Sequence, residues 1–90
     1  MFKNLEKLVQ VIRDRKNSST ENSYTRKLLN DKKLSVDKVK EEVKELIDAV
    51  EKDTNKIHES ADVLYHLLVF LEANNIKIED VMTELKKRQK

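Results

Sequence analysis

Two acidic pairs have the spacing from which chemistry can be built: Glu42 with Glu45, and Glu59 with Asp62, each at i, i+3. An α-helix advances by roughly 100° per residue, so an i, i+3 pair lies on one face. Glu59, Asp62 and His66 fall at i, i+3 and i+7. They form one polar stripe on a segment that is otherwise apolar through Val63, Leu64, Tyr65, Leu67, Leu68, Val69, Phe70 and Leu71. Acidic groups on such a helix are costly unless they are paired or bound to a metal. If two helices fold back antiparallel around a turn near Lys52, Glu45 and Glu59 each stand seven residues from it, and Glu42 and Asp62 each stand ten. Four carboxylates would then face one another at the same height, about 10 to 15 Å from the turn. Four clustered negative charges repel without a cation, so the pattern points to a site for Mg²⁺, with Mn²⁺ as the substitute. Solvated carboxylates on a highly charged surface are the plainer reading, and the mirrored register of the two pairs speaks against it.

The composition supports an oxygen-ligated site and excludes most others. The 90 residues contain no Gly, no Pro and no Cys, where average usage would give about six Gly and four or five Pro. Glycine-dependent phosphate loops and dinucleotide fingerprints therefore have no means of forming. Thiolate nucleophiles, disulfides, zinc ribbons and iron–sulfur clusters are excluded as well, while the redox compartment stays open. Two histidines, His58 and His66, are too few for a three-histidine zinc site. Nineteen basic against seventeen acidic residues leave a net charge of +2, too balanced to argue for nucleic acid. The longest apolar run, residues 63–71, is broken by His66 and is far short of a membrane span, and residues 1–4 open no signal peptide. A soluble, cytoplasmic protein without a membrane or nucleic-acid partner is expected.

The elements that must position these residues are all helical. Leu5, Leu8, Val9 and Ile12 predict a helix over 3–16, which Asn17-Ser18-Ser19-Thr20-Glu21-Asn22 ends. Ser23 can cap a short helix over 24–29, and residues 30–33 read as a connector. A third helix begins after Ser35, with Val36, Val39, Val43, Leu46, Ile47 and Val50 as its buried seam. Relative to that seam Glu42 lies about 90° away and Glu45 about 150°, while Glu41 and Asp48 point nearly outward. Asp53-Thr54-Asn55 marks a turn, and a helix over 55–74 follows, apolar on nearly every side. The last helix, over 78–88, carries Val81, Met82 and Leu85 inward and leads into a solvated basic tail. One all-α domain of helical hairpins spanning residues 1–90 is expected, with no strand and no internal repeat. The fourth helix has more apolar circumference than the other helices can cover, which predicts a homodimer with a shared four-helix core. Basic residues of the partner's first helix, Arg13, Arg15 or Lys16, would then approach each acidic cluster.

Glu41-Glu42-x-x-Glu45 followed by Glu59-x-x-Asp62 resembles the signature of the MazG-type all-α nucleotide pyrophosphohydrolases. More specifically, Ser23-Tyr24-Thr25-Arg26-Lys27-Leu28-Leu29, residues 38–42, Ala61-Asp62-Val63-Leu64-Tyr65-His66-Leu67-Leu68-Val69 and residues 78–81 are similar to the phosphoribosyl-ATP pyrophosphohydrolase family. The likeness runs over essentially the whole chain, and no fused cyclohydrolase domain is expected within the 90 residues. It implies Mg²⁺-dependent hydrolysis of the α–β phosphoanhydride of phosphoribosyl-ATP, the second step of histidine biosynthesis. It also implies Glu42, Glu45, Glu59 and Asp62 as ligands, with Glu41 beside the metal rather than on it.

There are departures from the family pattern. Two adjacent lysines and a glycine commonly precede the acidic pair, whereas Asp37-Lys38-Val39-Lys40 keeps one lysine and has Lys40 for the glycine. Val43 and Lys44 replace small residues. These changes touch substrate contacts and leave the ligand spacing intact. Lys27 and Lys38 are the cations best placed by the resemblance to meet substrate phosphates, with Arg13, Arg15 and Lys16 as further candidates. Tyr24 and Thr25 are candidates for phosphate or ribose. Ser23 suits a helix cap as well as a substrate contact, and His66 suits a satisfied core position as well as one beside the metal. Two other functions fit the residues: a house-cleaning pyrophosphohydrolase of free nucleoside triphosphates, and a non-catalytic helical interaction module whose acidic stripe pairs with lysines.

Overall fold

The computed structural model describes residues 1–17 and 23–89. These form α1 (Lys3–Asn17), α2 (Tyr24–Asn30), α3 (Lys32–Lys52), α4 (Lys56–Ala73) and α5 (Ile78–Arg88), with no strand among the described residues. Most of the predicted break between the first two helices, residues 18–22, lies outside the described residues, as does Lys90 of the basic tail.

A chain without glycine must end its helices with other residues. Asp53 (φ 57°) and Asn75 (φ 60°) take the left-handed conformation after α3 and α4. In each case the next amide reaches back to the helix, Thr54 N–H to the Ala49 carbonyl (3.0 Å) and Ile76 N–H to the Leu71 carbonyl (2.9 Å). Both are Schellman closures, which usually use Gly and next most readily Asn. Asn55 (φ 49°) completes the three-residue turn that folds α4 back along α3.

Two boundaries match the sequence reading closely. The Ser23 hydroxyl accepts from Arg26 N–H at 3.0 Å and caps α2, and α5 spans the expected residues. The third helix corrects it: α3 starts at Lys32, because the Asp31 carboxylate accepts from Leu34 N–H (3.0 Å) and supplies the cap that was sought at Ser35. Ser35 is buried inside the helix.

The core lies between α1, α2 and the second half of α4. Ile12, Leu28, Leu29, Leu68, Val69 and Ala73 form it, with Leu5, Leu8, Val9, Leu34, Tyr65 and Ile78 packed around. α3 lies along α4, Leu34 touching the core, and its buried residues are Ser35, Glu42 and Ala49. Half of the seam expected to be buried faces outward: Val43, Ile47 and Val50 are 39%, 52% and 57% exposed, while Val36, Val39 and Leu46 are half-buried. Leu64 and Leu67 of α4 are exposed too. α3 buries the carboxylate-bearing Glu42 and the small Ala49 and leaves Val43, Ile47 and Val50 open among the described residues. α5 is a second correction, since none of its residues is buried and Met82 and Leu85 are half exposed. Among the described residues no helix is long and apolar enough to cross a membrane.

Candidate active site

The antiparallel hairpin of α3 and α4 brings the acidic pairs together as their spacing requires. Glu42, Glu45 and Glu59 each offer a carboxylate oxygen within 4.8 Å of the other two. Asp62 stands beside this group: it joins Glu59 and His58 in a second set of the same span, with Asp62 Oδ2 3.4 Å from His58 Nε2. Three of the four expected carboxylates thus converge at one point, and the fourth is linked through Glu59.

Burial makes the group costly. Glu42 is only 7% exposed, and both its Oε2 and that of Glu59 are buried without a hydrogen-bond partner. Buried polar atoms are nearly always satisfied, so two orphaned carboxylate oxygens aimed into one cluster call for a ligand. Burial pushes the Glu42 carboxyl above its usual range, and the neighbouring Glu45 and Asp62 carboxyls push it further. Glu59 is raised for the same reasons, burial first and then Glu45 and Asp62. The donors are hard oxygens, charged and concentrated, which fits Mg²⁺ or Mn²⁺.

Around this cluster sits a hydrogen-bonded set from α2 and α4. His66 is buried; its Nδ1 lies 2.8 Å from the Asp62 carbonyl and its Nε2 2.9 Å from the Tyr24 hydroxyl. A carbonyl can only accept, so Nδ1 carries the proton and Nε2 accepts from Tyr24. His66 therefore is both a satisfied buried histidine and a tie between α2 and the turn of helix that bears Asp62. Thr25 and Tyr65 share a short hydroxyl–hydroxyl bond, and the Tyr24 and Tyr65 rings lie near parallel at 6.3 Å. Tyr65, which the sequence places in the apolar run of the fourth helix, has this polar contact as well.

The candidate cations separate into two groups. Lys38 is half buried, bonded to Glu41 at 2.8 Å, and close enough to Glu42 for its charge to be felt. Glu41 is thus engaged with Lys38 on the outside of α3 and is not in the carboxylate group. Lys27 is exposed on α2. Arg13 and Lys16 lie elsewhere: Arg13 reaches Glu72 (3.4 Å) and grips Glu79, and Lys16 bonds Glu72 (3.3 Å) and Asn75 (2.7 Å). Glu72 is ten residues beyond Asp62 on α4, about 15 Å along the axis. Within one chain these two cations hold α1 against the far end of α4. Arg15 is exposed, its carbonyl accepting from Arg26 at 3.4 Å. Sequence reasoning did not weigh His58 as a donor, although its i, i+4 relation to Asp62 was visible.

The family described as phosphoribosyl-ATP pyrophosphohydrolase matches residues 5–89, nearly the entire chain and the whole carboxylate hairpin. The chain belongs to the phosphoribosyl-ATP pyrophosphohydrolase family. A phosphoribosyl-ATP pyrophosphatase of Clostridium acetobutylicum is 51% identical over 90 residues, covering 93% of this chain and 79% of that one. One of Methanococcoides burtonii is 43% identical, covering 94% and 91%. A histidine biosynthesis bifunctional protein of Pyrococcus furiosus is 42% identical over 96% of this chain and 41% of its own length.

Proposed function

We propose that this chain hydrolyses phosphoribosyl-ATP to phosphoribosyl-AMP and pyrophosphate, adding one water across the α–β phosphoanhydride, as a Mg²⁺-dependent step of histidine biosynthesis. The observation that carries the reading is the pair of buried, unpartnered carboxylate oxygens of Glu42 and Glu59 in a chain of this family. Glu42, Glu45 and Glu59 would hold the ion, with Asp62 alongside. When bound, Mg²⁺ or Mn²⁺ grips phosphate oxygens and offsets the charge developing on the leaving pyrophosphate. The remaining work belongs to the chain. Lys38 offers a cation to the phosphates at the edge of the cluster, and the Tyr24–His66–Asp62 tie holds α2 against the carboxylate-bearing turn. Glu41 keeps Lys38 extended along α3.

The working unit in this reading is a homodimer. Its support is the apolar residues that the α3–α4 hairpin leaves exposed, Val43, Ile47 and Val50 on α3 and Leu64 and Leu67 on α4. The radius of gyration of 14.2 Å also exceeds the about 12 Å of a compact globule of this length, as suits half of a larger core. A second copy laid on this face would build a four-helix core around the two hairpins.

Turnover of phosphoribosyl-ATP, ATP and dCTP side by side, followed by chromatography of the products, tests the substrate. Phosphoribosyl-ATP should be consumed fastest by orders of magnitude. Preferential cleavage of a free triphosphate would instead make this a house-cleaning enzyme.

A further inference from the structure

Tyr24 is a large aromatic residue held at several points and yet 46% exposed. Its hydroxyl donates to His66 Nε2 at 2.9 Å, and its ring lies near parallel to that of Tyr65 with the centroids 6.3 Å apart. The His66 ring stands across both, 5.8 Å from Tyr24 and 5.0 Å from Tyr65, and Thr25 holds the Tyr65 hydroxyl. A ring that serves only the core is covered, and a ring that serves nothing is free to turn. One that is fixed and half open to water loses little conformational entropy when a flat partner settles on it. The surroundings of the ring say which partner. Lys38 and Glu42 are near enough for their charges to act on the Tyr24 phenol. Glu42 belongs to the carboxylate group, so the aromatic ring stands at the border of the site that would hold phosphates. In a nucleotide the base is one ribose away from the α-phosphorus, which suits a ring at that border.

We propose that Tyr24 is the platform on which the adenine ring of the substrate stacks, while Lys38 and the carboxylate group serve its phosphates. The proposal rests on the reading of this site as one for phosphoribosyl-ATP. Recognition by the face of the base suits that substrate. Its second ribose is attached at N1, on the edge of the adenine, where hydrogen bonds that read the edge of an ordinary adenine would meet the added group. A ring laid on the face leaves the edge free and binds the base whatever N1 carries. Base–aromatic stacking of this kind strengthens binding by about tenfold or more. The His66 bond and the stack are separable, because the first needs the Tyr24 hydroxyl and the second only the ring.

Tyr24→Phe and Tyr24→Leu, their helicity checked by circular dichroism, test this beside wild type. The first removes the hydroxyl alone, and the second removes the ring as well. Proton NMR of AMP titrated with each protein in Mg²⁺ reads the stack without turnover: the adenine H2 and H8 signals should move upfield with wild type and Tyr24→Phe and stay in place with Tyr24→Leu. Ribose 5-phosphate, which has a phosphate and no base, should bind all three alike. In turnover of phosphoribosyl-ATP, Tyr24→Leu should have a KM about tenfold or more above that of Tyr24→Phe at similar kcat, since contacts remote from the reacting bond are made equally in the ground and transition states. Equal KM values for the two variants, or upfield shifts that persist in Tyr24→Leu, would overturn the platform. Wild type that hydrolyses phosphoribosyl-ATP without shifting the AMP signals overturns the stack and leaves the enzyme reading standing; wild type that shifts them but cleaves no phosphoribosyl-ATP upholds an adenine platform and overturns the substrate.

Discussion

Glu42 shows how one side chain sets stability against function. Its carboxyl is raised by burial and by Glu45, so the folded protein holds that proton more tightly than the unfolded chain. The sign follows from linkage: the stabilising contribution is full below the ordinary carboxylate pKa and is lost as pH rises through the raised folded value. Glu59 acts in the same sense. Glu79 opposes it at the acid end, because Arg13 lowers its carboxyl to about 2, a contribution present above the ordinary value and lost as pH falls toward 2. Without metal, the melting temperature should therefore rise as pH is lowered from 7 toward 5 and fall again in stronger acid. Glu42→Gln should raise the metal-free melting temperature at pH 7 by a few degrees, flatten its change toward pH 5 and abolish the stabilisation by millimolar Mg²⁺. Melts of both proteins in EDTA and in Mg²⁺ read all three effects; a variant less stable than wild type in EDTA would contradict the strained carboxylate group. The same substitution, like Glu45→Gln, Glu59→Gln and Asp62→Asn, should cut activity by orders of magnitude, whereas Glu41→Gln, on the outer face with Lys38, should cost far less. The acidic set was legible because i, i+3 spacing fixes which side chains share a helical face. The Tyr24–His66 bond was not, since it joins residues 42 positions apart.

At the scale of elements, the turns carry the cost of a sequence without glycine. Asn55 holds φ at 49° and makes no side-chain cap bond to α4. Removing its Cβ relieves the left-handed conformation, so Asn55→Gly should be neutral or stabilising by up to about 0.5 kcal/mol, while Asn55→Ala should lose about 1 kcal/mol. Urea unfolding of the two variants measures the difference, and the reverse order would mean that the asparagine side chain itself sustains the turn. α5 depends on another device. It buries no residue, and Arg13 ties it to α1 through Glu79 while also reaching Glu72 of α4. Arg13→Ala should speed amide exchange throughout residues 78–88 and leave the α3–α4 hairpin protected. The start of α3 was misplaced in sequence because Ser35 and Asp31 both suit a cap; only the bond to Leu34 N–H decides for Asp31. The three-residue turn and the length of α4 were read closely, because Asp53-Thr54-Asn55 and Asn74-Asn75 punctuate the chain on either side of it.

For the whole molecule, the valine and isoleucine seam of α3 is where local pattern and the single chain part company. Periodicity says that a seam is to be buried but not against which chain, and here one copy leaves Val43, Ile47 and Val50 outside. Leaving a large aliphatic side chain exposed forgoes roughly 1.5 to 3 kcal/mol, so several together favour a second copy. Sedimentation equilibrium at micromolar concentration should give twice 10.6 kDa, and Ile47→Glu, at a position already half exposed in one chain, should give a folded monomer. A wild-type monomer would remove the dimer from the reading. The substrate, the ion and the carboxylate hairpin meet in a single assay: pyrophosphate released from phosphoribosyl-ATP by the wild-type chain, with Mg²⁺ present and with Mg²⁺ chelated by EDTA. Expected is rapid, stoichiometric release of pyrophosphate with phosphoribosyl-AMP in Mg²⁺ and none above the uncatalysed rate in EDTA; equal release in both, or release in neither, would contradict a Mg²⁺-dependent phosphoribosyl-ATP pyrophosphohydrolase.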